Sequence, residues 1–356
     1  MDQVRSARRT TLADVAARAG VSRATASRAL SGDARISEST RAAVRDAAQA
    51  LEYVPNVAAR GLRARHTRVL GLLLSDFSDP VHGQVAAGFE LEAGAAGYTV
   101  IIMAARNVPA EERRALTVFV ERSADGICMA SSTLDPDQAR SRSGACPLVV
   151  VQPDHPRILD GPEALPRGTI RTDDASGVEQ AVRHLLAMGH RDIAYVGTGN
   201  RATDILRCRT AERIVREQLR VGLRVISVAE DAWTNPASLS EALGPEPPRA
   251  VICYDDKMAL ALIDGLRMRE LEVPRDVAVV GYDGIPFAAL SNPRLTTVAT
   301  PTVEMGQLAA RCLVEAIDSG SLTPPRTLPV QLVVRESSGP PRSQPGRLPH
   351  LVARGG

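Results

Sequence analysis

The apolar positions at the start of the chain recur every three or four residues. They follow this spacing over residues 12–19, and Gly20 ends the pattern. Thr11 and Asp14 have the spacing of a capping box, in which each side chain binds the backbone N–H of the other residue. These features predict a short amphipathic helix that begins after Thr11.

A second helix is predicted two residues after the first. Ser22 can cap a helix that runs to about Leu30, which leaves only residues 20–21 between the two helices. Tight helix pairs joined through glycine are typical of the helix-turn-helix motif. Ser37 opens a third predicted helix, whose apolar face falls within residues 44–51.

From Val69 onward, short apolar segments alternate with longer helical patterns. The predicted strands are VLGLLLS, TVIIMA, GICMA and PLVVV and, after the Pro/Gly-rich stretch 153–168, TIRT, IAYVG, RVISV, AVICY and VAVVGYD. Helical patterns cover residues 81–96, 109–122, 174–188, 203–220 and 256–270. This alternation predicts βαβ units with parallel strands, and two complete runs favour two sheet-based subdomains over one.

Charge is distributed unevenly along the chain. Residues 1–68 carry 13 arginines against 6 acidic residues, a net charge of +7, whereas the remainder carries a net charge of −5. A basic segment joined to a mildly acidic body is typical of an appended module that binds a polyanion. The first 68 residues are therefore a candidate nucleic-acid-binding region.

Other sequence features exclude several classes of protein. The apolar run 69–74 is far shorter than the roughly 20 residues that cross a bilayer, and the basic N-terminus has no apolar segment of a secretory signal behind it. The five cysteines form no CxxC pair, which argues against a disulfide framework or a thiolate metal site. We therefore expect a cytoplasmic protein with no membrane partner, no metal site and no cofactor.

A series of spaced motifs closely resembles the LacI/GalR family of repressors. In chain order over roughly residues 10–338 they are TLADVAARAGVSRATASRALSGDARISESTRAAV, YVPNVAARGLRARHTRVLGLLL, GHRDIAYVG, DDKMALALIDGL, VPRDVAVVGYDGIP, LTTVATPTVEMG and LVVRES. The resemblance implies a homodimeric repressor that binds a pseudo-palindromic operator in double-stranded DNA under the control of a small-molecule effector. It implies no catalytic site.

The same resemblance implies a domain organisation. Residues 1–53 would form an all-α helix-turn-helix headpiece, residues 54–67 a hinge helix and linker, and residues 68–339 an α/β core. This core would resemble the type I periplasmic binding proteins, with two Rossmann-like parallel-sheet subdomains. The expected subdomains are 68–168 with 299–328, and 169–298 with 329–339. The Pro/Gly/Arg-rich residues 340–356 are predicted to be a disordered tail.

The resemblance assigns DNA reading to the predicted second helix. Arg23, Ala24 and Arg28 match the family's base readers; arginine can contact guanine with two hydrogen bonds, whereas alanine offers only an apolar contact to a thymine methyl. The polar residues expected to contact phosphates are Thr11, Ser22, Thr25, Ser27 and Asn56. In the hinge, Leu62 matches the family's wedge into the minor groove, and Ala59 would pack beside its two-fold partner. Outside such a motif, these would be solvated arginines and an ordinary packing leucine.

The effector is expected to bind between the two subdomains. Polar groups at the carboxyl ends of parallel strands can hold a small hydroxylated ligand there. By match to the family, Arg207, Asp255 and Asp283 are the best-supported ligand groups. Ser75 and Asp79 would face them from the first subdomain.

Several positions near this site depart from the family pattern. Gln152 stands where the family has an aspartate, Asp255 stands where it usually has asparagine, and residues 81–82 replace an aromatic pair. Trp233, the only tryptophan, resembles a family residue that packs on sugar rings, although a lone aromatic can equally belong to the core. His82 could bind ligand or be structural. A sugar or related metabolite is the favoured effector.

Two other classes of protein fit parts of the sequence. GTGNRA at 197–202 follows a predicted strand in GxGxxA form, as in dinucleotide-binding enzymes, and Glu217 is near the spacing of their ribose-binding carboxylate. Glu217, however, lies in EQLR, which is typical of a solvated helix face. A secreted binding protein would share the α/β core but needs an export signal and has no use for a basic headpiece. Neither alternative predicts salt-dependent DNA binding by residues 1–68.

Overall fold

The computed structural model describes residues 10–53 and 66–340. The chain divides into two compact units, residues 1–67 and residues 68–356. The described part of the first unit contains α1 (Leu12–Arg18), α2 (Arg23–Leu30) and α3 (Glu38–Ala50). These helices confirm the predicted helix-turn-helix region.

Each helix of the first unit begins at the N-cap residue that the sequence predicts. The Asp14 carboxylate accepts a hydrogen bond from the Thr11 backbone N–H at 2.8 Å, and Thr11 Oγ1 accepts one from the Asp14 N–H at 3.4 Å. Ser22 and Ser37 cap α2 and α3 by accepting a hydrogen bond from the backbone N–H three residues later. Gly20 has a φ of +68°, a backbone conformation that glycine adopts without steric cost, and it forms the tight turn between α1 and α2.

The second unit alternates strands and helices. Its strands are β1 (Val69–Leu74), β2 (Thr99–Ala104), β3 (Gly126–Ala130), β4 (Leu148–Val151), β5 (Thr169–Thr172), β6 (Ile193–Gly197), β7 (Arg224–Ser227), β8 (Ala250–Cys253), β9 (Ala278–Asp283), β10 (Thr296–Ala299), β11 (Arg326–Leu328) and β12 (Gln331–Val333). Its α-helices are α4 (Pro80–Ala95), α5 (Pro109–Glu121), α6 (Pro136–Ser143), α7 (Asp174–Ala187), α8 (Ala202–Leu219), α9 (Pro236–Glu241), α10 (Asp256–Met268) and α11 (Thr302–Ser319). Within the described residues, no helix combines the length and the apolar character that crossing a bilayer requires.

The strands form two six-stranded sheets. The first has the order β11-β5-β4-β3-β1-β2 with parallel pairs. The second has the order β12-β10-β9-β8-β6-β7, in which β12 runs antiparallel to β10. Separate apolar clusters lie on the two faces of each sheet, as helices on both sides require. The two predicted parallel-sheet subdomains are therefore confirmed.

The chain passes between the sheets after β5, after β10 and after β11. The predicted boundary at 168–169 is wrong, because β5 pairs with β4 in the first sheet, with Val151 opposite Ile170. The first crossing therefore follows Thr172. The alternation of strands and helices resumes at β5 after the Pro/Gly-rich stretch. That alternation does not determine which distant strand a segment pairs with. β10 likewise ends at Ala299, so this residue belongs to the second sheet and not to the predicted segment 299–328.

Candidate functional site

The exposed start of α2 carries the residues expected to read DNA. Arg23, Ala24 and Arg28 are exposed, and neither arginine forms an ion pair within the described residues. Arg35, on the loop that follows α2, instead pairs with Asp33 at 2.7 Å. The two α2 guanidinium groups are therefore available to a polyanion or a base edge.

The hydroxyl groups near this helix already have partners inside the protein. Ser22 Oγ accepts a hydrogen bond from the Thr25 N–H at 3.1 Å and lies 2.9 Å from Thr25 Oγ1. Thr11 Oγ1 donates to the Asp14 carboxylate at 2.7 Å, and Ser27 is half-buried. A phosphate contact by Ser22, Thr25 or Thr11 would have to share or replace these bonds.

The remaining residues expected to bind DNA belong to the predicted hinge. Asn56, Ala59 and Leu62 lie outside the described residues, as does the rest of 54–65. The hinge helix and the wedge role of Leu62 stay predictions.

A cleft of about 570 Å³ lies between the two sheets of the second unit, beyond the carboxyl ends of their strands. This volume suits a small metabolite. All seven residues expected to bind an effector line it: Ser75, Asp79, Gln152, Arg207, Trp233, Asp255 and Asp283. The fold thus brings together side chains that are up to about two hundred positions apart in the sequence.

The backbone at the strand ends around the cleft adopts uncommon conformations. The cleft residues with positive φ are Arg106, Asn107, Ser131, Gln152 and Asp283. Asp283 is the extreme case, with a φ of +106°. Non-glycine residues in this region are strained, and such residues cluster at binding sites where the surrounding structure holds them.

On the first-subdomain side, Asp79 and His82 have different roles. Asp79 caps α4 by accepting a hydrogen bond from the Val81 N–H at 2.9 Å. His82 is 6% exposed, and its ring nitrogens lie 3.1 Å from the Asp76 backbone oxygen and 3.1 Å from Ser131 Oγ. Burial lowers the pKa of His82, which favours the neutral ring. These contacts favour the structural interpretation of His82.

Gln152 and Arg207 meet at a buried carboxylate that the sequence did not point to. Asp174 accepts a hydrogen bond from Gln152 Nε2 at 2.9 Å and one from Arg207 Nε at 3.0 Å. The Arg207 guanidinium also lies 3.5 Å from the centre of the Tyr282 ring and donates to the Tyr254 backbone oxygen at 2.8 Å. Internal bonds therefore hold both side chains in place at the cleft wall.

Asp255 and Asp283 face the cleft from neighbouring strand ends of the second sheet. Asp255 caps α10 by accepting a hydrogen bond from the Met258 N–H at 2.7 Å. Asp283 lies 3.6 Å from Arg207 Nη2. Burial raises the pKa of both carboxyl groups, and for Asp283 the nearby carboxylates of Asp255, Asp256 and Asp79 raise it further.

Asp256 supports this wall from behind. It is fully buried and accepts hydrogen bonds from Thr297 Oγ1 at 2.6 Å and from the Ile285 N–H at 2.8 Å. Burial raises the pKa of this carboxyl group to about 7. Asp256 thereby anchors the turn that follows Asp283.

Lys257 is the cleft residue that sequence reasoning missed most clearly. Its Nζ lies 2.6 Å from Asp79 across the cleft, 4.0 Å from Asp255 and 5.6 Å from the centre of the Trp233 ring. Trp233 is 40% exposed, so it lines the cleft and does not belong to the core. A signal was present, because Lys257 is the only lysine in a chain with 42 arginines.

A second ion pair also joins the two subdomains. Arg201 Nε, before α8, lies 2.9 Å from Asp154, after β4, and Arg201 Nη1 lies 2.7 Å from Glu230. Asp154 also accepts a hydrogen bond from the Thr203 N–H at 3.1 Å. The cleft walls are therefore linked on two sides by opposite charges.

The glycine-rich segment 197–202 does not offer its backbone to a phosphate. Asp204 Oδ2 accepts hydrogen bonds from the N–H groups of Thr198 at 2.6 Å and Gly199 at 2.8 Å. These are the donors that a dinucleotide pyrophosphate would need. Glu217 pairs on the exposed face of α8 with Arg213 at 3.2 Å. The geometry therefore disfavours the dinucleotide-binding alternative.

Comparison with known families gives two matches along this chain. The family described as bacterial regulatory proteins, lacI family, matches residues 11–56, and the periplasmic binding protein-like domain matches residues 182–338. The chain is 30% identical over 341 residues to the HTH-type transcriptional regulator DegA of Bacillus subtilis (strain 168), covering 93% of this chain and 99% of that relative.

Solved structures extend this similarity to the fold. The Lac repressor dimer bound to operator and the anti-inducer ONPF superposes with a TM-score of 0.82 at 24% identity, over 93% of this chain and 100% of that chain. The transcriptional regulator CelR in complex with cellobiose gives a TM-score of 0.66 at 29% identity, over 92% of this chain and 100% of that chain.

Proposed function

The chain belongs to the lacI family of bacterial regulatory proteins, and from this premise we propose that it is a cytoplasmic repressor that binds a pseudo-palindromic operator as a homodimer. A small-molecule effector, a sugar or related metabolite, controls that binding from the cleft of the second unit. The observation that carries the proposal is the pair of exposed arginines at α2, which form no ion pair within residues 10–53 and 66–340, in a segment with a net charge of +7.

On this proposal, α2 lies in the major groove of the operator. Arg23 and Arg28 read base edges, and Ala24 meets a thymine methyl. The residues proposed to contact phosphates are Thr11, Ser22, Thr25, Ser27 and Asn56. In the hinge, Leu62 enters the minor groove at the operator centre, and Ala59 packs against its two-fold equivalent.

The effector is proposed to bind where strand-end carboxylates and Arg207 converge. The proposed ligand contacts are Ser75, Asp79, Gln152, Arg207, Trp233, Asp255 and Asp283. The similarity to a regulator solved with cellobiose supports a carbohydrate or a molecule of related polarity. Two ion pairs, Lys257–Asp79 and Arg201–Asp154, join the subdomains across the cleft. Effector binding beside them therefore changes the relative position of the subdomains.

Selection of binding sites from random double-stranded DNA tests this function directly. The full chain should enrich two inverted half-sites, because a two-fold dimer presents α2 twice. Binding measured by fluorescence anisotropy should weaken steeply with added salt, since arginines that neutralise phosphates release counterions. An enriched site without two-fold symmetry, or binding that does not respond to salt, would contradict the proposal.

Arg28→Ala should relax sequence preference. Loss of a two-bond contact to guanine costs about 1–3 kcal/mol at one operator position, whereas binding to random DNA should fall much less. The measurement compares the selected operator with random DNA at one fixed salt concentration. Arg45→Ala is the matched control, because Arg45 lies on α3 and pairs with Glu38 at 3.3 Å. Equal losses on both DNAs would make Arg28 a phosphate contact.

A further inference from the structure

The cleft contains more acidic than basic groups. Among the described residues that line it, seven carry carboxylates and four carry a guanidinium or ammonium group. The imbalance is concentrated at Asp255 and Asp283, whose side chains are only 16% and 17% exposed. Their nearest cations lie at 4.0 Å and 3.6 Å, too far for a hydrogen bond. Two partly desolvated carboxylates therefore face the cavity without a close donor from another side chain.

The cleft already binds one primary ammonium group, on the side opposite Asp255 and Asp283. Lys257 Nζ sits on Asp79 at 2.6 Å, with Asp255 at 4.0 Å and the Trp233 ring at 5.6 Å. A carboxylate beside an aromatic face is the arrangement by which proteins recognise ammonium ions. The compact ammonium is also the exception in this chain, which uses arginine at all 42 other basic positions. A guanidinium is planar, so it cannot replace the ammonium group between the Asp79 carboxylate and the Trp233 ring unless the neighbouring side chains rearrange.

Other ligand chemistries fit the cleft less well. An anion would need free basic groups, but Arg207, Arg201 and Lys257 are engaged with Asp174, Asp154 and Asp79. Arg106 is the one basic lining residue that forms no ion pair within the described residues, and it shares the cleft with seven carboxylates, which disfavour an anion. No group of three or more histidine, cysteine or acidic residues in the described part of the chain is arranged to hold a metal ion. A neutral sugar can donate hydroxyl hydrogen bonds to Asp255 and Asp283, but it brings no positive charge to offset the burial and the neighbouring carboxylates that raise the pKa of both groups.

We propose that the effector carries a protonated primary amine, which binds between Asp255 and Asp283. This inference rests on the proposed effector site and narrows its ligand to amine-bearing molecules. The amine donates charge-assisted hydrogen bonds to both carboxylates, and the remaining polar groups of the ligand face Ser75 and Gln152. Two sources of this chemistry are amino sugars and linear polyamines.

Matched pairs of compounds separate the amine from the rest of the ligand. Glucosamine and galactosamine are compared with glucose and galactose, and putrescine with butanediol, by thermal shift of the full chain. At least one amine should raise the melting temperature above the effect of its neutral partner, because charge-assisted hydrogen bonds stabilise the complex. The sugar and diamine arms identify the source. If every amine has no greater effect than its partner, the proposal is overturned.

The single lysine provides a way to place the bound amine. Reductive methylation with isotope-labelled methyl groups keeps the charge and labels only Lys257 and the α-amino group. An amine that binds between Asp255 and Asp283 should change the NMR signal of the Lys257 methyl groups. A thermal shift without any change in that signal would place the amine elsewhere and overturn the proposal.

Asp255→Asn tests the carboxylate itself. Asparagine caps helices as well as aspartate does, so α10 should keep its N-terminus. The variant should bind the amine about 10- to 150-fold more weakly than the wild type does, as expected for loss of a charged hydrogen bond. It should bind the neutral partner compound about as tightly as the wild type does. Asp264→Asn is the control, since Asp264 lies on α10 outside the cleft and pairs with Arg267. Unchanged amine preference in Asp255→Asn, or an equal loss in the control, contradicts the proposal.

Failure of this inference can be told apart from failure of the proposed function. If neutral sugars stabilise the chain and alter operator binding while amines do not, the effector site stands and the amine assignment is wrong. If the chain does not bind DNA, the proposed function fails. The thermal shifts and the Lys257 signal still report on the cleft in that case.

Discussion

Replacing Arg207 by methionine is expected to lower the free energy of unfolding by about 3–5 kcal/mol, because it leaves a buried carboxylate without its counter-ion. Asp174 is 1% exposed and receives its two guanidinium contacts from Arg207, at 3.0 Å each. Methionine can still pack on the Tyr282 ring, so the loss reports mainly on charge. Urea unfolding followed by circular dichroism measures this change in the free energy of unfolding. An unchanged slope of that free energy against urea concentration shows that both proteins undergo the same unfolding transition.

Two further variants separate this effect from general loss of an arginine. Arg213→Met removes an exposed arginine from the same helix, where it pairs with Glu217 across one turn, and should change stability by less than about 0.5 kcal/mol. Combining Arg207→Met with Asp174→Asn should recover much of the loss, because neither charge then stays buried alone. If the double variant is no more stable than Arg207→Met alone, loss of packing and not an unpaired charge explains the result.

Asp283→Asn is expected to abolish the effector response while operator binding is retained. Asparagine preserves the shape of the side chain and tolerates a positive φ better than most residues, so the strand end should keep its conformation. Loss of the carboxylate removes its charge-assisted hydrogen bonds to the effector. Each such bond is worth about 1.5–3 kcal/mol, or roughly 10- to 150-fold in affinity. The first unit, which is proposed to contact DNA, does not contain this residue.

The measured quantity is the half-effective concentration: the concentration of the most stabilising compound at which its effect on operator binding reaches half of the maximum. That compound comes from a thermal-shift screen of sugars, amino sugars, polyols and nucleosides. Asp192→Asn is the control, because Asp192 is exposed and precedes β6, at the opposite end of the strand from the cleft. A normal response from Asp283→Asn would remove Asp283 from the ligand contacts. Loss of operator binding itself would show that the charge supports the fold.

Local features of the sequence were sufficient to predict the three helices of the first unit and, in order, β1–β9 with five helices of the second unit. They did not predict β10, β11, β12, α6, α9 and α11. Thr11, Ser22 and Ser37 begin helices because a hydroxyl can satisfy backbone N–H groups a few residues away, and that interaction needs no distant partner. The alternation of strands and helices predicted parallel sheets for the same reason. The strand-end rule then indicated where the cleft lies, since the carboxyl ends of parallel strands meet at one edge, and the resemblance to the family pointed to Arg207 and Asp283 there.

The partners of these residues depended on the tertiary structure. β5 joins the first sheet, although the rhythm of the sequence placed it in the second. Gln152 and Arg207 both bind Asp174, from which they are 22 and 33 positions away in the sequence.

The contrast between Thr11 and Lys257 gives the physical reason. The partners in the Thr11 capping box are three residues apart, so the helix period alone brings them together. Lys257 and Asp79 are 178 residues apart, and they meet only because two separate sheets fold around one cleft. The sequence by itself determined the helix-turn-helix segment, the two α/β subdomains and the edge where a ligand would bind. Only the tertiary structure decided which charges face each other there, because side-chain pairing across domains depends on packing that no local pattern encodes.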